Sequence, residues 1–187
     1  MVMVVKMNLY IDFINENHKD IDIISSLYED AFPDDEKAPF DSLIQREKKD
    51  NADFIGYYYN DEFIGFTYLI HDHNLHYIFY FAILQKYRNQ GFGTQILNLL
   101  KDKYKDETIF FEIETLDKTA DNYNERKRRK DFYLRNGFKE SGFGYYFFVD
   151  YEVMIYGNDI EPDRWHNMFY EFSNGYVDVE FKKKECE

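Results

Sequence analysis

The sequence predicts a mixed α+β domain (α/β mixed) in which helices lie on both faces of a central, mostly antiparallel sheet. Three observations lead to this fold class. First, a strand pattern is followed by segments whose apolar residues have helical spacing. Second, three strand-like segments follow, separated by residues typical of turns. Third, strands alternate with helices in the second half of the chain. The predicted order is β-α-α-β-β-β-α-β-α-β-β, followed by a C-terminal helix.

The first half of the chain begins with a strand and two helices. Residues 9–13 alternate apolar and polar side chains, as a half-buried strand does. Residues 20–32 carry apolar side chains at helical spacing, and Pro33 ends this helix because proline cannot continue it. A second short helix is predicted from about Pro39. An antiparallel meander follows, with strands at residues 54–59, 62–71 and 75–84 and turns at Asn60-Asp61 and Asp72-His73-Asn74.

The second half of the chain alternates helices with strands. We predict helices over residues 91–104, 122–136 and 163–172, and strands over residues 108–113, 138–142 and 145–156. Gly137 follows the middle helix, at the position where glycine commonly ends a helix. Lys182, Lys183 and Lys184 are expected to form a solvated tail.

Length and composition predict one domain over residues 1–187, with a core at about residues 7–156 and a C-terminal helical extension at residues 157–187. Aromatic residues make up 20% of the chain, which excludes a disordered chain. The single cysteine, Cys186, excludes an internal disulfide and fits a reducing cytoplasm. No apolar stretch has the roughly 18 residues of a membrane span, and residues 1–7 lack the features of a secretory signal.

The net charge of the chain is −13. A surface of this sign is a poor partner for nucleic acid, because phosphate binding needs basic residues. An acidic field instead attracts cations and amines. We therefore expect no nucleic-acid partner, and the acidic balance favours a cationic acceptor.

The sharpest local signal is the segment Arg88-Asn89-Gln90-Gly91-Phe92-Gly93-Thr94, between a predicted strand and a predicted helix. The first turn of a helix has unpaired N–H groups and a partial positive charge, so it can bind an anion. Glycines let the backbone approach a phosphate closely. A Walker loop and a dinucleotide fingerprint are both excluded, because the required Lys-Ser/Thr and third glycine are missing. By itself the segment could also be an ordinary strand-to-helix turn.

Two motifs together resemble the GNAT superfamily of N-acetyltransferases. Arg-x-x-Gly-x-Gly after a strand is similar to the pyrophosphate loop of that family, and Phe132-Tyr133-x-x-x-Gly137-Phe138 is similar to its second hallmark. The resemblance covers roughly residues 7–156 and includes the predicted element order. Residues 32–39 and 126–130 are similar to bacterial members that have no assigned substrate.

The resemblance implies a GNAT-like acyl-CoA N-acyltransferase fold and direct transfer of an acetyl group from acetyl-CoA to an amine. It implies that the backbone of the pyrophosphate loop holds the cosubstrate and that a strand edge pairs with the pantetheine arm. The residues with these implied roles are Arg88, Gln90, Gly91, Phe92, Gly93 and Thr94 in the loop, and Ala82 and Ile83 in the strand.

The resemblance also implies a general acid, and Tyr133 is the candidate because a neutral phenol can protonate a departing thiolate. Candidates for the base are Glu112 and Glu114, which alternate with apolar residues and so point to one face of a strand. An ordinary polar strand face is the alternative reading of this pair. Glu36, in the loop after the first helix, is a further candidate and is expected to contact the substrate.

Two further groups of residues have alternative readings. Arg126 and Arg129 could meet the 3′-phosphate or adenine end of CoA, or they could belong to a solvated helix face. His71, His73 and His76 invite a metal hypothesis, but their spacing is not diagnostic and a polar hairpin explains them better. We assign no metal.

The predicted function is therefore a cytoplasmic N-acetyltransferase for a small-molecule or peptide amine of unknown identity, with no membrane partner. The alternative is a non-catalytic domain that binds acyl-CoA and acts in regulation. The presence of Tyr133 at the acid position favours the enzyme. The apolar residues of the C-terminal helix could cover the sheet, line the acceptor cleft or form the face of a homodimer.

Overall fold

The computed structural model describes residues 9–34, 36–47, 51–147, 149–175 and 181–183. Its strands are β1 (Leu9–Phe13), β2 (Ala52–Tyr59), β3 (Glu62–Asp72), β4 (Leu75–Ile83), β5 (Thr108–Glu114), β6 (Lys139–Phe147), β7 (Val149–Tyr156) and β8 (Phe181–Lys183). Its helices are α1 (Ile21–Ala31), α2 (Phe40–Glu47), α3 (Phe92–Lys103), α4 (Tyr123–Arg135) and α5 (Pro162–Phe172). This order confirms the predicted mixed α+β fold class.

The chain divides into two compact units, one formed by residues 1–70 and 78–100 and the other by residues 71–77 and 101–187. The first unit contains β1 and β2, most of β3 and β4, the helices α1 and α2, and most of α3. The second contains the last residues of β3 and α3 and the first of β4, then β5, α4, β6, β7, α5 and β8. None of the helices in the described ranges has the length and apolar character that a membrane crossing requires.

In the first unit, helices pack on both faces of the meander. β1 runs antiparallel to β2, and β2 runs antiparallel to β3. Phe54 of β2 contacts Phe40 of α2, whereas Tyr59 of the same strand contacts Phe92 of α3. Side chains five positions apart on a strand point to opposite faces, so α2 and α3 cover different sides. This arrangement agrees with the predicted placement of helices.

In the second unit, β4 and β5 are parallel, because α3 carries the chain across between them. The ladder joins residues 75–77 of β4 to residues 108–110 of β5. β5 then pairs antiparallel with β7, and β7 with β6. α4 packs through Tyr133 against Phe111 of β5, and α5 packs through Trp165 and Phe169 against Tyr77 of β4.

The C-terminal helix α5 covers the sheet of the second unit, which is one of the three roles considered for it. Trp165, Met168 and Phe172 are buried. Arg164, at the start of the helix, donates through Nε to Asp72 Oδ2 at 3.0 Å and through Nη1 to Asn74 Oδ1 at 3.0 Å. The buried apolar side chains and the hydrogen bonds of Arg164 together hold α5 against the second unit.

The prediction for the last two long strands was wrong in its turn position. The predicted strands left a gap after residue 142, but β6 continues to Phe147 and the register shifts between Glu140 and Gly144. Gly142 has φ of 82°, and a Cβ at Gly144 would collide with the carbonyl oxygen of Tyr151. The glycines therefore mark an irregularity and a close approach inside a strand, not a hairpin turn.

The predicted solvated tail contains a short strand instead. The backbones of Lys182 and Lys183 pair with Gly144 and Phe143 of β6 in β8. Pairing partners so far apart in sequence leave no local signal, which is why the pattern did not indicate a strand. Lys184 and Cys186 lie outside the described residues.

Candidate functional site

The loop between β4 and α3 contains two residues with left-handed backbone conformation. A single 3-10 turn, Gln85–Tyr87, follows β4, and α3 begins at Phe92. Between them Asn89 has φ of 61° and Gly91 has φ of 86°. Both values lie in the left-handed region, which glycine adopts without steric cost and asparagine tolerates. The chain thereby turns sharply into the first turn of α3.

The N-terminus of α3 is held in place by a buried ring. Phe92 lies between Tyr59 and Tyr87, with ring centroids 5.1 Å and 5.5 Å away. The first turn of α3 contains no acidic side chain, so no carboxylate from this turn accepts hydrogen bonds from its N–H groups. The last turn carries Lys101 and Lys103, which complement the helix dipole. This end of α3 can therefore accept an external anion.

The polar side chains of the loop stiffen it. Arg88 Nε donates to the carbonyl oxygen of Ile83 at 2.8 Å, and Gln90 Nε2 donates to the carbonyl oxygen of Lys86 at 2.6 Å. Both side chains are exposed. Arg88 forms no ion pair with a carboxylate within the described ranges, so its charge is available to a ligand.

Ala82 and Ile83 lie at the end of β4, the last strand in the order β1-β2-β3-β4 of the first unit. A Cβ at Gly65 of β3 would collide with the carbonyl oxygen of Ala82, so glycine there allows the two strands to approach closely. The Leu84 N–H donates to the carbonyl oxygen of Ile64 at 2.9 Å. The backbone at Ala82 and Ile83 is therefore held from one side by β3.

The loop that carries Glu36 is fixed by two tyrosine hydroxyls. Tyr28 donates to the carbonyl oxygen of Ala38 at 2.7 Å, and Tyr80 donates to that of Glu36 at 2.9 Å. The Ala38 N–H donates in turn to the Tyr80 hydroxyl at 2.9 Å. The side chain of Glu36 is exposed. The first unit thus presents this carboxylate on an anchored loop.

Tyr133 lies on α4 in an aromatic setting. Its ring centroid is 4.1 Å from that of Phe111 and 6.0 Å from that of Phe138. Burial raises the pKa of Tyr133 to about 12, although the charge of Arg129 opposes this rise. In the part of the chain that the structure describes, its hydroxyl has no hydrogen-bond partner. Tyr133 is therefore a neutral phenol at ordinary pH.

Glu112 and Glu114 do not share one environment, although they alternate along β5 as predicted. Glu112 accepts hydrogen bonds at Oε1 from the hydroxyls of Tyr77 and Tyr145, the latter at 2.9 Å. Glu114 forms ion pairs with Arg126 at 2.8 Å and Arg129 at 3.4 Å. Glu114 is the last residue of β5, so its side chain can reach α4 around the strand end.

Arg126 is committed to the same network. Its side chain is buried, and besides pairing with Glu114 it donates through Nε to Asn122 Oδ1 at 2.6 Å and through Nη1 to the Thr115 carbonyl oxygen at 3.1 Å. Arg129 is exposed, and its ion pair with Glu114 is the longer of the two. Of the two arginines, Arg129 has the guanidinium that a ligand can reach.

Comparison with known proteins decides the family. The sequence profile described as "Acetyltransferase (GNAT) family" matches residues 21–138, which is more than half of the chain. The chain belongs to the GNAT acetyltransferase family. It is therefore an acetyltransferase, as the two motifs predicted.

Solved structures similar to this acetyltransferase share its fold. A putative GNAT acetyltransferase from Bacteroides thetaiotaomicron is 22% identical, with 90% of this chain and 99% of that chain covered and a TM-score of 0.70. A Bacillus subtilis acetyltransferase in complex with CoA is 16% identical, with 80% and 99% covered and a TM-score of 0.60. The ribosomal-protein-S18-alanine N-acetyltransferase of Escherichia coli is 16% identical, with 83% and 97% covered and a TM-score of 0.60. No curated protein sequence matches the chain.

The histidines of the acetyltransferase form a polar cluster at the β3–β4 hairpin. His71 Nδ1 lies 2.9 Å from His76 Nδ1, and His76 Nε2 contacts Glu107. The ring of His76 stacks on Tyr104 with centroids 3.8 Å apart. Among the described residues there is no group of three or more side chains arranged to hold a metal ion.

Sequence reasoning missed the two tyrosines that bond to Glu112 of this acetyltransferase. Tyr77 is 35 residues and Tyr145 33 residues away along the chain. Neither belongs to a motif, and the chain has 18 tyrosines. The sequence pattern predicts that each tyrosine lies in a strand, but it does not predict which carboxylate the hydroxyl contacts.

Proposed function

We propose that this chain transfers an acetyl group from acetyl-CoA directly to an amine, and that the segment Arg88–Thr94 holds the pyrophosphate. The observation that carries this proposal is the first turn of α3. It follows the left-handed Gly91, has no acidic side chain, and stands beside the exposed Arg88, which forms no ion pair with any carboxylate that the structure describes. Backbone N–H groups at a helix N-terminus are suited to a phosphate group.

Each loop residue has a distinct part in this proposal. Phe92 contributes its N–H only, because its ring is buried between Tyr59 and Tyr87. Gly91, Gly93 and Thr94 contribute backbone N–H groups, and Gln90 stiffens the loop through its bond to Lys86. Arg88 adds a formal positive charge.

Ala82 and Ile83 are proposed to pair with the pantetheine arm as if it were an added strand. They lie in the last strand of the first unit and are supported by β3 through the close approach at Gly65. Arg129 is proposed to contact the 3′-phosphate end, since its guanidinium is exposed. The buried Arg126 is proposed to support this contact by fixing the start of α4.

Bound acetyl-CoA supplies an activated thioester carbonyl that an amine can attack. Tyr133 is proposed as the general acid that gives a proton to the leaving thiolate sulfur. With a pKa raised to about 12 the hydroxyl is protonated at neutral pH, so it carries a proton that the leaving sulfur can take. The absence of a competing hydrogen-bond partner within the described residues leaves this proton available.

Glu112 is proposed as the base that removes a proton from the acceptor. Most alkylamines are protonated at neutral pH, so a base must act before or during attack. Glu114 is the weaker candidate, because its carboxylate already forms ion pairs with Arg126 and Arg129. Glu112 accepts hydrogen bonds from the hydroxyls of Tyr77 and Tyr145, and these two donors carry no charge.

A cationic amine is proposed as the acceptor. The chain carries a net charge of −13, and the anchored loop between α1 and α2 presents Glu36 at the surface. An acidic field raises the local concentration of cations. The second candidate function is a non-catalytic acyl-CoA-binding domain, which the same loop would serve equally well.

Calorimetry with acetyl-CoA, CoA and NADH tests the proposal. Micromolar binding of acetyl-CoA and CoA without binding of NADH is the expected result, since the loop lacks the third glycine of a dinucleotide site. A screen of amines for acetyl-CoA consumption then separates the two candidates. No binding of acetyl-CoA would overturn the proposal, and tight binding without turnover on any amine would favour the non-catalytic domain.

A further inference from the structure

The environment of Glu112 contains more than a carboxylate on a strand. Two phenol hydroxyls, of Tyr77 on β4 and Tyr145 on β6, donate to the same oxygen, Oε1. They reach it from different strands of the second unit. Two donors on one oxygen restrict the rotation of the side chain and favour its ionised form over its protonated form.

The two tyrosines are themselves held by packing. The ring of Trp165 on α5 lies 5.9 Å from that of Tyr77 and 5.5 Å from that of Tyr145. Phe169 lies 5.8 Å from Tyr77, and Tyr151 is stacked on Tyr145 at 5.3 Å. Rings packed in this way cannot swing their hydroxyls away from Glu112 without disturbing the core.

The surroundings of Glu112 differ from those of Glu114 on the same strand. Glu114, two residues along β5, forms ion pairs with Arg126 and Arg129. Glu112 instead accepts hydrogen bonds from phenols on β4 and β6, and Val153 lies opposite it on β7. The two donors to Glu112 Oε1 are neutral hydroxyls, whereas the partners of Glu114 are cationic.

We propose that Tyr77 and Tyr145 are positioning residues for the acetyl transfer, which hold Glu112 in one orientation and set the pH at which it can act as the base. The inference rests on the proposed function of Glu112. In the step itself the N–H bond of the acceptor ammonium breaks, its electron pair stays on nitrogen, and an O–H bond forms on Glu112. The tyrosines keep their own protons throughout.

The role of the hydroxyls can be measured on the carboxylate directly. Protein labelled with ¹³C at the glutamate carboxyl carbons is titrated by NMR, and the Glu112→Gln variant assigns the Glu112 signal. Loss of one neutral donor should raise the titration midpoint of Glu112 by about one pH unit in Tyr145→Phe and in Tyr77→Phe. Tyr156→Phe is the matched control, because Tyr156 packs against Phe138 instead of Glu112.

A second measurement connects the titration to catalysis. For the best amine of the screen, the acidic limb of kcat/KM should move to higher pH by the same amount, so that activity below the midpoint falls about tenfold. A structural role alone would lower activity equally at all pH values. An unchanged midpoint in both tyrosine variants would overturn the inference, as would a moved midpoint with an unmoved acidic limb.

The NMR titration keeps this inference separate from the proposed function. It needs neither acetyl-CoA nor an acceptor, so a failed calorimetric experiment would not affect its result. Conversely, the tyrosine variants could show normal turnover and an unchanged titration midpoint of Glu112. That result would exclude the two tyrosines as positioning residues and would leave the proposed acetyltransferase activity intact. Two single-hydroxyl variants are used so that one poorly folded protein does not decide the outcome.

Discussion

The ring of Tyr133 on α4 packs against the ring of Phe111 on β5, with centroids 4.1 Å apart. Glu112, the next residue on β5, points to the other face of the strand and meets Tyr77 and Tyr145. The candidate acid and the candidate base are therefore associated with opposite faces of β5.

Replacing the candidate acid should affect turnover and leave binding intact. Tyr133→Phe keeps the ring that packs on Phe111 and removes only the hydroxyl. We expect nearly unchanged acetyl-CoA affinity by calorimetry and turnover lower by ~10² or more, the usual effect of a lost acid. Tyr123→Phe, on the same helix, serves as the control and should retain full activity. Full activity in Tyr133→Phe would remove this residue from the mechanism.

The pyrophosphate loop should not tolerate a branched residue at Gly91. Valine is strained at φ of 86°, and its side chain would stand where the loop is proposed to meet the phosphate. We expect Gly91→Val to abolish acetyl-CoA binding in calorimetry. Gly142→Val introduces similar backbone strain in β6, at φ of 82°, and should weaken stability without this specific loss. Tight binding by Gly91→Val would place the phosphate site elsewhere.

Arg126 and Arg129 should respond differently to substitution. Arg126→Met breaks a buried ion pair with Glu114, so we expect a loss of about 2–3 kcal/mol in the free energy of unfolding. Arg129→Met should cost little stability, because its side chain is exposed, but should weaken acetyl-CoA binding. Urea denaturation and calorimetry give the two quantities. The reverse pattern would mean that Arg126 is the residue that contacts the cosubstrate.

The hairpin histidine His76 should make stability depend on pH. Burial, the largest cause, and the neighbouring His71 lower the pKa of His76, whereas its hydrogen bond to Glu107 opposes them. Below the unfolded-state pKa of about 6.5 the unfolded chain therefore binds more protons than the folded chain, so stability falls as pH decreases. Lys103 and Tyr104 are the other titratable neighbours.

Thermal denaturation tests this linkage. Between about pH 7.5 and about pH 5.5 the wild-type protein should lose more stability than His76→Gln, which has no titrating ring at this position. Both proteins share all other titratable groups, so the difference between their pH dependences reports on His76. Parallel curves for the two proteins would show that His76 does not contribute.

The element order could be predicted from the sequence because the signals are local. Apolar spacing distinguishes helices from strands within a few residues, and Pro33 and Gly137 mark helix ends through their own backbone preferences. The turn between β6 and β7 was misplaced for the same reason. A glycine at a strand irregularity resembles a glycine in a turn until its partner strand is known.

The sequence by itself determined the loop from Arg88 to Thr94 and the place of Tyr133, since each depends on a short motif and on backbone geometry. Only the tertiary structure decided how Glu112 and Glu114 differ. Their partners, tyrosines for one and arginines for the other, come from other strands and from α4. Side-chain alternation fixes the face of a strand on which a carboxylate lies, but packing across the sheet decides which groups it meets there.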